Sequence, residues 1–204
     1  MSDSSILSTR AAEDLLFRWG RAWFRFRSFS PLPFFLLFVA LPSEVAWTTP
    51  VAVALSVYGL AGEALRIWAV GFAGSVTRTR DDRVPVLVHA GPYRFVRNPL
   101  YIGNFMIYTA AGFLFGFVWL TLAFAFYTAL QYFLITEYEE TLLGETFGMD
   151  YREYREKVPR WLPALRPRIE SSAHTFHLGK AIKSEKSTLL AMAAIVILII
   201  AKWW

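Results

Sequence analysis

Residues Leu100–Thr136, LYIGNFMIYTAAGFLFGFVWLTLAFAFYTALQYFLIT, contain no charged side chain. One membrane-crossing helix needs only about 20 residues, so a run of this length holds two of them. Gly116 stands near its middle, where a tight turn divides the run into a membrane hairpin. The flanks are as informative as the interior. The run follows Gly91-Pro92-Tyr93-Arg94-Phe95-Val96-Arg97-Asn98-Pro99 and leads into Glu137–Pro159, EYEETLLGETFGMDYREYREKVP. Charged, aromatic and turn-forming residues are thus gathered where membrane helices meet water, the place where a membrane enzyme keeps its chemistry.

Composition extends this reading to the whole chain. The 204 residues are 55% hydrophobic and 17% aromatic, more apolar surface than a soluble domain of this size hides. The absence of cysteine excludes disulfide frameworks, thiolate catalysis and cysteine metal sites. The net charge of +5 does not point to nucleic acid, because the basic residues border apolar runs and would face anionic headgroups. The first thirty or so residues carry too much charge for a signal-peptide core, so the N-terminus is expected to be retained.

Arg10 to Phe29 reads as an amphipathic helix, with Leu15, Trp19, Trp23 and Phe26 on one side and Arg10, Arg18, Arg21 and Arg25 on the other. It either lies in the headgroup plane or packs on the rest of the protein. Pro31 to Trp47 is a short apolar segment edged by prolines, and Val51 to Phe72 is a longer one. After the hairpin comes a polar region, Glu137 to Lys186, and then a last short span, Leu189 to Ile200, anchored by Lys202, Trp203 and Trp204. The expected fold is an all-α integral membrane protein with about five transmembrane helices, an interfacial N-terminal helix and a cytoplasmic helical segment. Its divisions are residues 1–30, a membrane domain over 31–168, and a linker with a C-terminal helix over 169–204. Arginine and lysine collect in the N-terminal segment, Arg78–Arg97 and Arg152–Lys186, but not near Glu44 or Gly116. That pattern places the N-terminus and both polar patches in the cytoplasm and the C-terminus outside.

Four features could carry chemistry. Pro99 suits a first helical turn, which puts Asn98 at the N-cap and makes the helix start, with Arg94 and Arg97, a site for a carboxylate or phosphate. Glu137, Glu139 and Glu140 leave the end of a membrane helix at its negative pole, so a cation must face them: Arg94, Arg97, Arg160 or a bound cationic cofactor. Glu63 and Arg66 stand three apart within an apolar span and are expected to pair in a bundle interior or cavity. His174 and His177 have helical ligand spacing but no third ligand beside them, so no metal site is expected, and His89 reads as structural. Gly-rich dinucleotide fingerprints and serine–histidine–aspartate arrangements are not recognisable.

Gly91-Pro92-Tyr93, Arg97-Asn98-Pro99-x-Tyr101-x-Gly103 and Glu139-Glu140-x-x-Leu143-x-x-x-Phe147-Gly148-x-x-Tyr151-x-x-Tyr154-x-x-x-Val158-Pro159, taken together over about Val51 to Pro163, resemble the isoprenylcysteine carboxyl methyltransferase and phospholipid methyltransferase family. The resemblance implies an integral membrane enzyme that uses S-adenosylmethionine in a cytoplasm-facing pocket, with a lipid or lipidated acceptor arriving from the bilayer. It implies cofactor contacts at Pro85, Val86, Leu87, Val88, Tyr93, Asn98, Pro99, Leu100, Tyr101 and Glu139. Arg97, Glu63 and Glu140 are the expected catalytic residues, the glutamates as bases for an amine or hydroxyl acceptor. Two positions depart from the prenylcysteine enzymes: Asn98 replaces a histidine, and Ile135 stands where a substrate-contacting arginine is found. An NADPH-dependent sterol-type reductase and a non-catalytic scaffold of the same fold are the alternatives.

Overall fold

The computed structural model describes residues 3–74 and 86–203, with side chains from residue 15. Pro85, Arg78, Arg80 and Arg83 lie outside the described residues. Every regular element described is helical: α1 (Asp3–Phe26), α2 (Leu32–Ala40), α3 (Thr49–Ala73), α4 (Pro99–Leu114), α5 (Trp119–Phe147), α6 (Met149–Lys157) and α7 (Leu178–Trp203), with a 3-10 turn at Gly91–Arg94.

Three of these, α3, α5 and α7, are long and apolar enough to cross a membrane. The expected count of about five is not supported by helix length. The 16 residues of α4 rise about 24 Å and the nine of α2 about 13 Å, against a hydrocarbon core of about 30 Å. In α2 the prolines set the limit: Pro31 is its N-cap, and Pro42 lies just beyond its C-cap Leu41.

The predicted hairpin is α4–α5. Its turn holds Gly116 at φ 84°, and the Gly116 carbonyl accepts hydrogen bonds from the Glu44 and Val45 N–H groups at 2.9 and 3.0 Å. A Cβ there would stand 2.6 Å from the Val45 carbonyl oxygen. The Lys202 ammonium bonds the carbonyls of Phe38 and Leu41, and Trp203 Nε1 that of Leu114. The hairpin turn, the end of α2, the start of α3 and the end of α7 are thus gathered at one end of the bundle.

Packing follows the glycines and the aromatics. Helices α3 and α4 approach closely at Gly62 and Gly103, where an added Cβ would stand 2.8 and 2.6 Å from the carbonyl oxygen of the other glycine. Phe38, Phe115, Phe117 and Phe124 form the core at the hairpin end, with Phe34 stacked on Phe124. Tyr101, Tyr132, Ile135 and Tyr138 form a second core and receive Phe17 and Phe24 of α1. The N-terminal helix packs on the rest of the protein: Gly20 is buried against Leu134 and Tyr138 of α5. Trp23 turns inward to Tyr127, while Leu15, Trp19 and Phe26 of the predicted apolar face remain more than half exposed.

Candidate functional site

At the other end of the bundle the two polar patches are tied to each other. The Arg97 N–H donates to the Pro159 carbonyl at 2.9 Å, the Ala164 N–H to Phe95 at 2.9 Å and the Arg168 N–H to Arg94 at 2.9 Å. The Tyr154 hydroxyl donates to the Tyr93 carbonyl at 2.9 Å. Residues 159–168 therefore run as a strap beside the 3-10 turn. This is why the patches, distant in sequence, share one site.

Glu140 is the knot of that connection. It is 6% exposed, and both of its oxygens are taken: Arg97 donates to them at 3.1 and 3.3 Å, Arg160 at 3.1 and 2.7 Å. Arg160 also bonds Glu137. Burial works against the Arg160 charge, but the hydrogen bonds to Glu137 and Glu140 outweigh it and raise its pKa above the ordinary value. Arg97 is further held by the carbonyls of Arg155 and Val158, at 2.6 and 2.8 Å. The cations expected opposite the acidic cluster are thus Arg97 and Arg160, whereas Arg94 donates to the Ile169 carbonyl. Arg97 and Glu140 also line the cavity that Glu139 faces, with their polar atoms engaged in this clamp.

Glu139 points elsewhere. It receives the Tyr101 hydroxyl at 3.0 Å on one oxygen and faces a cavity of about 840 Å³. Val86, Leu87, Val88, Tyr93, Asn98, Pro99, Leu100 and Tyr101 line the same cavity, so every described residue of the expected cofactor set meets there. Asn98 occupies the N-cap position of α4 and Pro99 its first turn, as read from sequence. The Asn98 side chain makes no cap, however; its amide donates to the Arg160 carbonyl at 3.3 Å. The first N–H groups of α4, those of Leu100 and Tyr101, have no carbonyl one turn back to bond. Burial, then the Glu139 carboxylate, raise the Tyr93 phenol well above its ordinary pKa and keep it neutral.

Glu63 does not line this cavity. It pairs with Arg66 at 3.4 Å, as expected, but Arg66 also bonds Glu185 of α7 at 2.6 Å and the Asn104 side chain. The sequence reading missed Arg27, Asn104, Tyr132 and the α7 side chains, all of which line the cavity. Arg27 follows α1 directly and lies over the Phe24 ring at 3.8 Å. Its signal was hidden among the neighbouring arginines, although at 100° per residue it falls away from the face of Arg10, Arg18, Arg21 and Arg25. Ile135 is fully buried in the tyrosine core and presents nothing to the cavity. A separate depression of about 640 Å³ outside the α5–α6 junction is lined by charged residues such as Glu145, Arg152 and Glu156 and lacks Tyr93, Asn98 and Glu139. Among the described residues, no cluster of three potential metal ligands occurs.

The family model for phospholipid methyltransferase matches residues 47–150. The nickel-cobalt-cadmium resistance protein NccN of Alcaligenes xylosoxydans xylosoxydans is 27% identical over 64% of this chain and 60% of its own length. The cobalt-zinc-cadmium resistance protein CzcN of Cupriavidus metallidurans is 27% identical over 71% of this chain and 64% of its own. The protein-S-isoprenylcysteine O-methyltransferase of Schizosaccharomyces pombe is 31% identical over 51% of this chain and 46% of its own. The chain thus spans between about half and two thirds of the length of these relatives. No solved structure matches.

Proposed function

Because this chain belongs to the phospholipid methyltransferase family, we propose that it is an integral membrane methyltransferase that uses S-adenosylmethionine to methylate a lipid-like acceptor drawn from the bilayer. One observation carries the reading: the α4 helix start and the Glu139 carboxylate line a single cavity whose walls continue down to apolar side chains of α2 and α7. The similarity to an isoprenylcysteine methyltransferase supports it independently.

The donor set suits this cofactor, which supplies an electrophilic methyl group on a sulfonium. Glu139, oriented by Tyr101, would accept from an ammonium or a ribose hydroxyl. The Leu100 and Tyr101 N–H groups and the positive pole of α4 favour a carboxylate. Tyr93, neutral and at the wall, offers an aromatic face and a donor. Arg97 and Glu140, at the wall of the same cavity, join Arg160 in the clamp that holds the strap against the helix start. Transfer requires donor and acceptor in line with water excluded, and the chain provides this by alignment within a helical bundle rather than by a charged catalytic pair. The cavity end faces the cytoplasm in this reading, since Arg94, Arg97, Arg152, Arg155 and Arg160 cluster there.

Calorimetric titration of the detergent-purified chain with S-adenosylmethionine, S-adenosylhomocysteine and NADPH tests the proposal. Binding of the first two and not of the third is expected. NADPH binding alone would move the reaction class to reduction, and failure to bind any of them would leave a scaffold.

A further inference from the structure

Helix α7 lies outside the segment that matches the family, residues 47–150. Yet it forms a wall of the cavity through Thr188, Ala191, Met192, Ala194 and Ile195. We propose that this wall holds the hydrocarbon chain of the methyl acceptor, with Ala191, Met192 and Ile195 deciding which chains fit; the inference rests on the methyltransferase reading and deepens it.

The helical register of α7 divides its surface into distinct sides. Glu185, Thr188, Met192 and Ile195 succeed one another at spacings of three and four on one side of the helix; Glu185 is fully buried on Arg66 of α3, and Ile195 packs on the Phe38 core. Ala191 and Ala194 lie on the adjacent side; both line the cavity and both are exposed, so their open side is a mouth and not a packed contact. Pro31, Leu32 and Phe35 of α2 line the same cavity, and Leu32 is 54% exposed. The two helices meet at the hairpin end, where Ile195 and Ile199 pack on the Phe38 core and Lys202 bonds the last carbonyls of α2. The slot between them is therefore closed below and open beside the cavity. Its outer neighbours are exposed apolar residues: Leu190 and Ile197 of α7, a helix long and apolar enough to cross a membrane, and Leu36 of α2.

The occupant follows from this chemistry. A slot lined by alanine, methionine, isoleucine, leucine and phenylalanine, open to hydrocarbon on one side and to Glu139 on the other, takes a long apolar chain whose polar head lies near Glu139. An acyl chain of a phospholipid and a prenyl chain on a cysteine share that chemistry. Two attachments fix the wall: the buried Arg66–Glu185 pair toward the Glu139 end and the Lys202 hydrogen bonds at the other end. The wall is held in place while its inner side stays free.

The test uses the full chain in phosphatidylcholine vesicles, with two photoreactive probes in separate arms. One is a phosphatidylethanolamine bearing a diazirine near the end of an acyl chain, and the other an S-prenylcysteine bearing it on the prenyl chain. Labelling of Ala191, Met192 and Ile195 is compared by mass spectrometry with that of Leu190 and Ile197, which report bulk lipid. Labelling of the inner residues above the outer ones is expected with at least one probe, and the probe that achieves it identifies the source of the chain. Ala191→Trp is expected to reduce inner labelling about tenfold, equivalent to excluding about two methylene groups, while outer labelling persists. Met192→Ala serves as a second variant and should raise inner labelling by a bulkier chain. Inner labelling no greater than outer, or unchanged by Ala191→Trp, would overturn the proposal. So would a loss of S-adenosylhomocysteine affinity in Ala191→Trp, which would put Ala191 on the cofactor side. If the wild type labels as expected but binds no S-adenosylhomocysteine, the methyltransferase reading fails and the hydrocarbon slot stands.

Discussion

Replacing Glu139 by glutamine removes the one carboxyl group that faces the cavity without an arginine bonded to it, while keeping size and a hydrogen-bonding tip. A charge-assisted hydrogen bond contributes about 1.5–3 kcal/mol, so S-adenosylhomocysteine should bind about 10- to 150-fold more weakly. The fold should not suffer. Glu139 makes no salt bridge to the arginines that clamp Glu140 and Glu137, and its side chain is not in the tyrosine core. Thermal unfolding in detergent should therefore stay within a few degrees of wild type, a shift of less than about 1 kcal/mol. Tyr101→Phe provides an intermediate step: it keeps the charge but removes the 3.0 Å bond that orients it, with an expected loss of about fivefold from about 1 kcal/mol. Titration calorimetry on the three proteins measures the series. Equal affinity in wild type and Glu139→Gln would refute the assignment of the cavity to this cofactor. Weakened binding accompanied by a large fall in melting temperature would refute the claim that Glu139 serves ligand and not fold.

Glu140→Gln should behave in the opposite way, leaving Arg97 and Arg160 without their buried counter-charge. About 3–5 kcal/mol of stability should be lost, visible as a lowered melting temperature before any change in cofactor affinity at low temperature. Gly103→Leu should prevent the α3–α4 approach and yield aggregated protein on size-exclusion chromatography, because its Cβ alone would already stand 2.6 Å from the Gly62 carbonyl oxygen. Glu63→Gln should leave S-adenosylhomocysteine affinity unchanged, since Glu63 lies behind Arg66 and outside the cavity; a change above about threefold would place it in the pocket. Tyr154→Phe removes the bond to the Tyr93 carbonyl and should lower stability by about 1 kcal/mol by thermal unfolding.

Local chemistry made much of this legible in the chain itself. The charge-free run with a central glycine required a helical hairpin turning at Gly116, and Pro99 marked the first turn of α4 with Asn98 before it. The three glutamates at the end of a membrane helix demanded cations, and Arg97 and Arg160 supply them for Glu137 and Glu140. Such features depend on backbone sterics and on the cost of isolated charge, which neighbours in sequence already determine. What each charge does was not legible. Glu139 and Glu140 are adjacent and both border the cavity, but helical geometry turns them about 100° apart, so that one meets the Tyr101 hydroxyl and the other an arginine clamp. Nothing in their shared residue type says which is which. Helix length does not support the count of about five spans for a related reason: hydropathy shows where apolar residues occur, while helix length is set by prolines and by partners, and α2 ends after nine residues. Likewise only the fold could bring Glu185 to Arg66, far away in the chain, and make the terminal helix a wall of the cavity. Composition and turn chemistry therefore determined that this chain inhabits a membrane as paired helices with polar ends. Tertiary packing decided which polar groups neutralise one another and which are left facing a ligand, because such pairing depends on distances in space that no local interaction encodes.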